Sequence, residues 1–199
     1  MSLRERQKEQ RRLAIIRAAQ QWMRTHHTVP DLNMDAIAEA AGVSKPTVYQ
    51  NFRSENDLVA EVMRIGMDAL VQYLDTLETH SPKEQLVQIY RMLLDEKYSP
   101  DGLLTGLEPA QILSVIRSHP EIRAAKERTS LCLRQIIERG KAAGEIRQDI
   151  LAERLVSWMF CSINVLYATY PDKDDAYWQE HLQTHIDEMV TDLLRLISP

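Results

Sequence analysis

Long apolar runs, cysteine and glycine are all scarce in this 199-residue chain. No apolar stretch approaches the roughly 18 residues that a membrane-spanning helix requires. The opening MSLRERQKEQRRL is charged with no apolar segment behind it, so a cytoplasmic protein is expected. The two cysteines, Cys132 and Cys161, have no CxxC and no metal-ligand spacing around them. Buried thiols in a helical core are the expectation, with a redox pair as the alternative. No phosphate-cradling glycine-rich loop, no GxSxG and no HExxH occurs, which leaves no visible catalytic machinery and no expected cofactor. His181 and His185 stand one helical turn apart near Asp187 and Glu188, a spacing that can hold a metal ion. A third, distant ligand is missing, so a solvated helix face is the reading and no metal site is assigned.

Alternating apolar and polar residues are also lacking, which excludes half-buried strands. What is present is three-to-four-residue apolar spacing in nearly every long segment, with 44% hydrophobic residues to build a core. The expected fold is all-α with about nine helices, a three-helix head on a larger C-terminal bundle. The net charge of −5 argues against nucleic acid until its distribution is considered. Residues 1–53 hold nine Lys or Arg against five acids, net +4, whereas residues 54–199 are net −9. A basic end on an acidic body suits a protein that presents one surface to phosphates.

The periodicity predicts a first helix from Lys8 to about His26, with Leu13, Ile16, Ala19 and Met23 on its inner stripe and Ile15 and Trp22 beside them. Arg11, Arg12 and Arg17 project elsewhere. After a loop around Pro30, Asn33 is a good N-cap for a short helix over Met34–Ala41, which Gly42 ends. Ser44 caps a third helix, Lys45 to Phe52, with Pro46 in its first turn, where a missing N–H is harmless. A long fourth helix runs from Ser54 to about Glu78. Further helices are predicted near Lys83–Lys97, Pro109–Ser118, Glu121–Ala143, Asp149–Tyr170 and Asp175–Ile197.

The segment from Met34 to Phe52 carries the functional information. Ile37, Ala38 and Ala41 form one inner face, and Val43, Val48 and Phe52 the other. Lys45, Thr47, Tyr49, Gln50 and Asn51 remain on or beside the outer face, with hydrogen-bonding groups of suitable reach for a major groove. IAEAAGVSKPTVYQNF, followed by Leu58, resembles the helix-turn-helix signature of the tetracycline-repressor (TetR) family, and the likeness is close over about residues 10–60. That resemblance implies a homodimeric repressor that binds palindromic double-stranded operator DNA and is released by a small-molecule effector. It places Lys45, Pro46, Thr47 and Gln50 near bases, and Tyr49 and Asn51 on backbone phosphate. Asn33, Asp35, Ser44 and Arg53 complete the expected DNA-facing set. Two positions depart from the pattern. Glu55 stands where a lysine is usual, and Arg53 is placed to supply the lost contact. Asp35 either accepts from a cytosine amino group or supports the first turn of its helix. Arg4, Arg6 and Lys8 form either an arm toward DNA or a disordered tail.

The resemblance further implies a DNA-binding domain over residues 1–53 and an effector-binding and dimerisation domain over residues 54–199. Tyr90, Arg134, Gln135, Asn164 and Tyr167 are polar residues among apolar neighbours on helices that would surround an effector. Arg134 would favour an anionic ligand if it faced inward unpaired. Leu155, Trp158, Ser162, Leu182, Met189 and Leu193 lie on two apolar-sided helices that would form a four-helix bundle between subunits, or else complete a monomer core.

Overall fold

The computed structural model describes residues 2–25, 32–98, 109–163, 165, 172 and 175–199. Among the described residues it contains helices and no strand. These are α1 (Leu3–Thr25), α2 (Met34–Ala40), α3 (Lys45–Asn51), α4 (Glu55–Thr76), α5 (Pro82–Tyr98), α6 (Pro109–Ser118), α7 (Pro120–Ala142), α8 (Ala152–Ser162) and α9 (Asp175–Ile197). No helix among the described residues is long and apolar enough to cross a membrane. The chain divides into two compact units, one of residues 1–66 with 100–124 and one of residues 67–99 with 125–199.

The first unit differs from expectation at α1, which begins at Leu3 rather than Lys8. Its start is set by a capping box. The backbone N–H of Ser2 donates to Glu5 Oε2 at 2.6 Å, while Ser2 Oγ accepts from the Glu5 N–H at 3.3 Å. The inner stripe is also shifted. Ile15, Ile16, Ala18, Ala19 and Met23 are buried, whereas Leu13 is 40% exposed on the opposite side. They pack with Leu32, Met34, Ile37 and Ala38 around α2, Val48 and Phe52 around α3, and Leu58, Val59 and Val62 of α4 in one core. Ala41 and Val43 are only half-buried. The segment around Pro30 lies largely outside the described residues.

The second unit is built around α5, α7, α8 and α9, with Leu86, Ile89, Tyr90, Leu133, Ile137, Met159 and Leu193 among its most buried side chains. Gly140 is there because of a close approach. A Cβ on it would stand 2.5 Å from Ile146 Cδ1 and 3.3 Å from Pro82 Cβ. The helix expected from Asp149 begins only at Ala152. Arg147 and Asp149 are tied to each other by a two-point ion pair at 2.6 Å, and Leu151 is 59% exposed without a side-chain cap. Both cysteines are free, and Cys161 is exposed rather than buried because it faces away from the packed side of α8.

Candidate nucleic-acid interface

The paired helices α2 and α3 are fixed by their own backbone chemistry before packing acts. Asn33 Oδ1 accepts from the N–H groups of Asp35 and Ala36, both at 3.1 Å, satisfying two donors that a helix start leaves without partners. At the far end Gly42 takes φ +65°, the N–H of Gly42 reaches the carbonyl of Glu39, and the N–H of Val43 reaches that of Ala38, each at 3.0 Å. This is a Schellman closure, which needs a left-handed residue and so favours glycine. Ser44 Oγ then caps α3 by accepting from the Thr47 N–H at 3.4 Å and pairs with Thr47 Oγ1 at 2.8 Å.

Val48 and Phe52 face inward, which turns Lys45, Pro46, Tyr49 and Gln50 out to solvent and leaves Thr47 and Asn51 half-buried. Tyr49 is 42% exposed. Asn51 Nδ2 donates to the Thr47 carbonyl at 2.8 Å. Asp35 and Lys45 meet across the turn, Nζ to Oδ2 at 2.8 Å, and that carboxylate holds the lysine above its usual range. Asn33 and Ser44 thus cap their helices, Asp35 pairs with Lys45 of the next helix, and all three stay exposed. Arg53 is exposed just beyond α3.

Behind α3 stands a network that periodicity did not reveal. Arg12, expected among outward cations, stacks over the Phe52 ring with Cζ 5.1 Å from its centroid, and its Nη1 donates to Glu61 Oε1 at 3.0 Å. Arg64 grips the same carboxylate through two N–H groups at 2.7 and 3.1 Å. Arg64 first and Arg12 second hold the Glu61 carboxyl down at about 2. Ser54 and Asp57 cap the start of α4 reciprocally, each 3.1 Å from the other's N–H, and Asp57 Oδ1 lies 3.0 Å from His119 Nε2. The bond from His119 holds the Asp57 carboxyl below its usual range. Glu55 sits half-buried in the first turn of α4, where the helix dipole favours a carboxylate.

Residues 26–62, which span this paired-helix unit, match the family model described as "Bacterial regulatory proteins, tetR family". Over this head the chain resembles the TetR family. No curated protein matches the sequence. Solved structures share the fold at low identity. The fatty acid degradation regulator FadR from Bacillus halodurans superposes with a TM-score of 0.67 at 18% identity, covering 93% of each chain. The ketosteroid transcriptional regulator KstR2 of Mycobacterium tuberculosis gives 0.68 at 15%, covering 95% of each. The transcriptional regulator FadR from Bacillus subtilis in complex with stearoyl-CoA gives 0.63 at 19%, covering 92% of this chain and 96% of that one.

Of the five residues expected around an effector, Tyr90, Arg134 and Gln135 are among the described residues of the second unit. Tyr90 is fully buried on α5, its ring 5.6 Å from that of Trp158, and burial raises its hydroxyl above the usual range. Its O–H donates to Ser162 Oγ at 2.7 Å, because the Ser162 hydroxyl is itself directed to the Met159 carbonyl at 3.1 Å. Arg134 is paired along α7 with Glu127 at 3.1 Å, and Gln135 is exposed. Asn164 and Tyr167 lie outside the described residues. Of the residues expected between subunits, Leu155 and Leu193 are buried within this unit, and Trp158, Leu182 and Met189 are half-buried. His185 is buried on α9 between the Tyr177 hydroxyl at 2.9 Å and Glu188 at 3.3 Å. No group of three or more potential metal ligands occurs among the described residues.

Proposed function

We propose that this chain is a TetR-family regulator, a homodimeric repressor that reads a palindromic operator through α3 and releases it when a small molecule binds the C-terminal domain. Residues 1–53 are the DNA-reading part and residues 54–199 the effector-binding and dimer-forming part. The observation that carries the reading is the outer face of α3. Lys45, Tyr49 and Gln50 stand exposed on a helix whose inner side is fixed by Val48, Phe52 and the Arg12–Glu61 tie. Lys45, Pro46, Thr47 and Gln50 read base edges, while Tyr49, Asn51 and Arg53 hold the backbone. Binding to chromosomal DNA places the protein in the cytoplasm.

One recognition helix per chain requires two subunits to read two half-sites. The half-sites then lie about one helical turn, roughly 34 Å, apart or somewhat more. α8 and α9 supply the subunit contact through the half-buried Trp158, Leu182 and Met189 together with the exposed Leu151. The effector is a largely apolar molecule bound by the C-terminal domain, a reading supported by the fatty-acid and ketosteroid regulators that share the fold. α4 belongs to both compact units along the chain, so a ligand that favours one tilt of α4 changes the position of α3.

Selection of bound duplexes from a random pool, with sedimentation of the free protein, tests this. An inverted repeat bound by a dimer is expected. A monomer at micromolar concentration that binds a single half-site tightly would contradict it.

A further inference from the structure

The first turns of α1, expected as an arm toward DNA or a disordered tail, are helical and project beyond the core of the first unit. The core of the first unit begins at Ile15, yet α1 starts at Leu3, and residues 3–11 are all exposed. A helical segment this short is marginal in water by itself, so it is held by the Ser2–Glu5 box at one end and by the packed turns at the other. At 100° per residue, Arg4, Lys8 and Arg11 fall within an arc of about 60°. The buried Ile15 lies on the same arc further along and buried Ala18 about 20° beyond its edge, so the stripe continues the side that α1 turns toward its own unit. Arg6 lies on the opposite side.

The overhanging turns flank the recognition helix. Glu5, Lys8, Glu9 and Arg12 of α1 line one concavity with Gln50 and Asn51 of α3. Glu5 is engaged by the Ser2 N–H, Arg12 by Glu61, and Glu9 is more than a quarter-turn round from the stripe. No ion pair among the described residues engages Arg4, Lys8 or Arg11. From Arg4 to Arg11 the helix rises about 10 Å, which matches about three nucleotides of one strand at 3.4 Å each.

We infer that the Arg4–Lys8–Arg11 stripe is a second DNA contact, binding backbone phosphates of the same duplex whose groove receives α3. This inference rests on the DNA-binding reading of α3 and adds a rigid helical rail beside it. Its contacts are electrostatic and blind to sequence.

The test is affinity for a selected duplex over a salt series, for the wild type, Lys8→Ala, Arg4→Ala/Lys8→Ala/Arg11→Ala, Arg6→Ala and Lys45→Ala. Alanine preserves the helix, and far-UV circular dichroism checks it; Lys8→Gln is the second variant at that position. Lys8→Ala should lower the slope of log K against log salt by about 0.9, and the triple variant by about 2.7. Each lost contact should weaken binding about eightfold at 0.1 M salt from counterion release alone. Arg6→Ala should leave the slope unchanged, and every α1 variant should keep the wild-type base preference. An Arg6→Ala effect equal to that of Lys8→Ala would mean that net charge acts and placement does not, overturning the inference. Unchanged slopes in all α1 variants, with base preference still dependent on Lys45, would overturn the rail and leave the reading of α3 intact. Retention on vesicles of anionic lipid, with no change in DNA slope, would assign the stripe to a membrane surface and overturn it too. If the wild type shows no salt-dependent DNA binding, both readings fall together.

Discussion

The two compact units contrast in how their polar residues are placed. In the first, Asn33, Gly42, Ser44 and Ser54 act on backbone groups within three residues of themselves, and packing then fixes which face of α3 looks outward. In the second, the contacts that matter bridge long stretches of chain. Tyr90 meets Ser162, Lys83 donates its N–H to Glu145, Arg91 pairs with Asp187, and Arg139 meets Gln85. Local chemistry specifies a reading surface, whereas helix-on-helix packing specifies an interior. The first is therefore expected to tolerate change in the second better than it tolerates change in its own core.

The largest expected effect comes from removing the side chain on which α3 and Arg12 both rest. Phe52→Ala should cost about 3–5 kcal/mol in the first unit, the usual range for an aromatic core truncation. Amide hydrogen exchange should rise through α1–α3 while α5 and α9 keep their protection. Equal loss of protection in both units would show that they unfold as one, breaking the comparison. Gly140→Ala probes the second unit instead. The new methyl would press on buried Ile146, so a loss of about 1–3 kcal/mol in thermal stability is expected. Ile146→Val added to it should recover part of that loss. Losses that simply add in the double variant would sink the close-approach account.

The difference between the units also explains what could be read from the chain. Helices α2 and α3 were legible to within a residue because their ends carry Asn33, Gly42, Ser44 and Pro46, whose effects are local. The start of α1 was legible as well, in Ser2-Leu-Arg-Glu5, but apolar periodicity alone points to a later start because the overhanging turns have no core to face. Leu13 misleads for a related reason, since one residue of drift on a 3.6-residue helix moves a side chain by 100°. Arg12 could not be recognised as a tie to Glu61 and Phe52, because nothing local distinguishes it from Arg11. In the second unit, Arg134 and Gln135 are polar residues among apolar neighbours, and the sequence does not say which way each one faces. Only the rotation of α7 in the packed unit decides that one pairs with Glu127 and the other faces solvent.

A smaller effect is expected from acid. The Glu61 carboxyl is depressed to about 2 from an ordinary 4.5, so its contribution is complete above the unfolded value and is lost as pH falls through about 2. Allowing for solvent screening at a partly exposed site, that contribution is about 1–2 kcal/mol. Urea unfolding followed between pH 5 and pH 2 should show the first unit weakening, and Glu61→Gln should flatten that slope. An unchanged slope in the variant would assign acid sensitivity elsewhere, Asp57 being the next carboxylate held down in the same unit. Smaller still, Asn33→Ala should cost about 1 kcal/mol, the usual value of an N-cap, and Asn33→Asp should restore most of it. A loss in DNA affinity with no loss in stability would instead make Asn33 a direct contact.

The central claim is that α3 enters a DNA groove and reads bases, and a paired selection tests it most directly. Duplexes bound by the wild type and by Lys45→Ala are recovered from one random pool and compared position by position. Lys45→Ala should lose about 1–3 kcal/mol on the wild-type operator and relax preference at one base pair per half-site, as expected for a lysine at a guanine edge. The same operator recovered with unchanged preference at every position, and a salt slope smaller by about one unit, would place Lys45 on phosphate. Unchanged affinity, preference and slope would contradict the account.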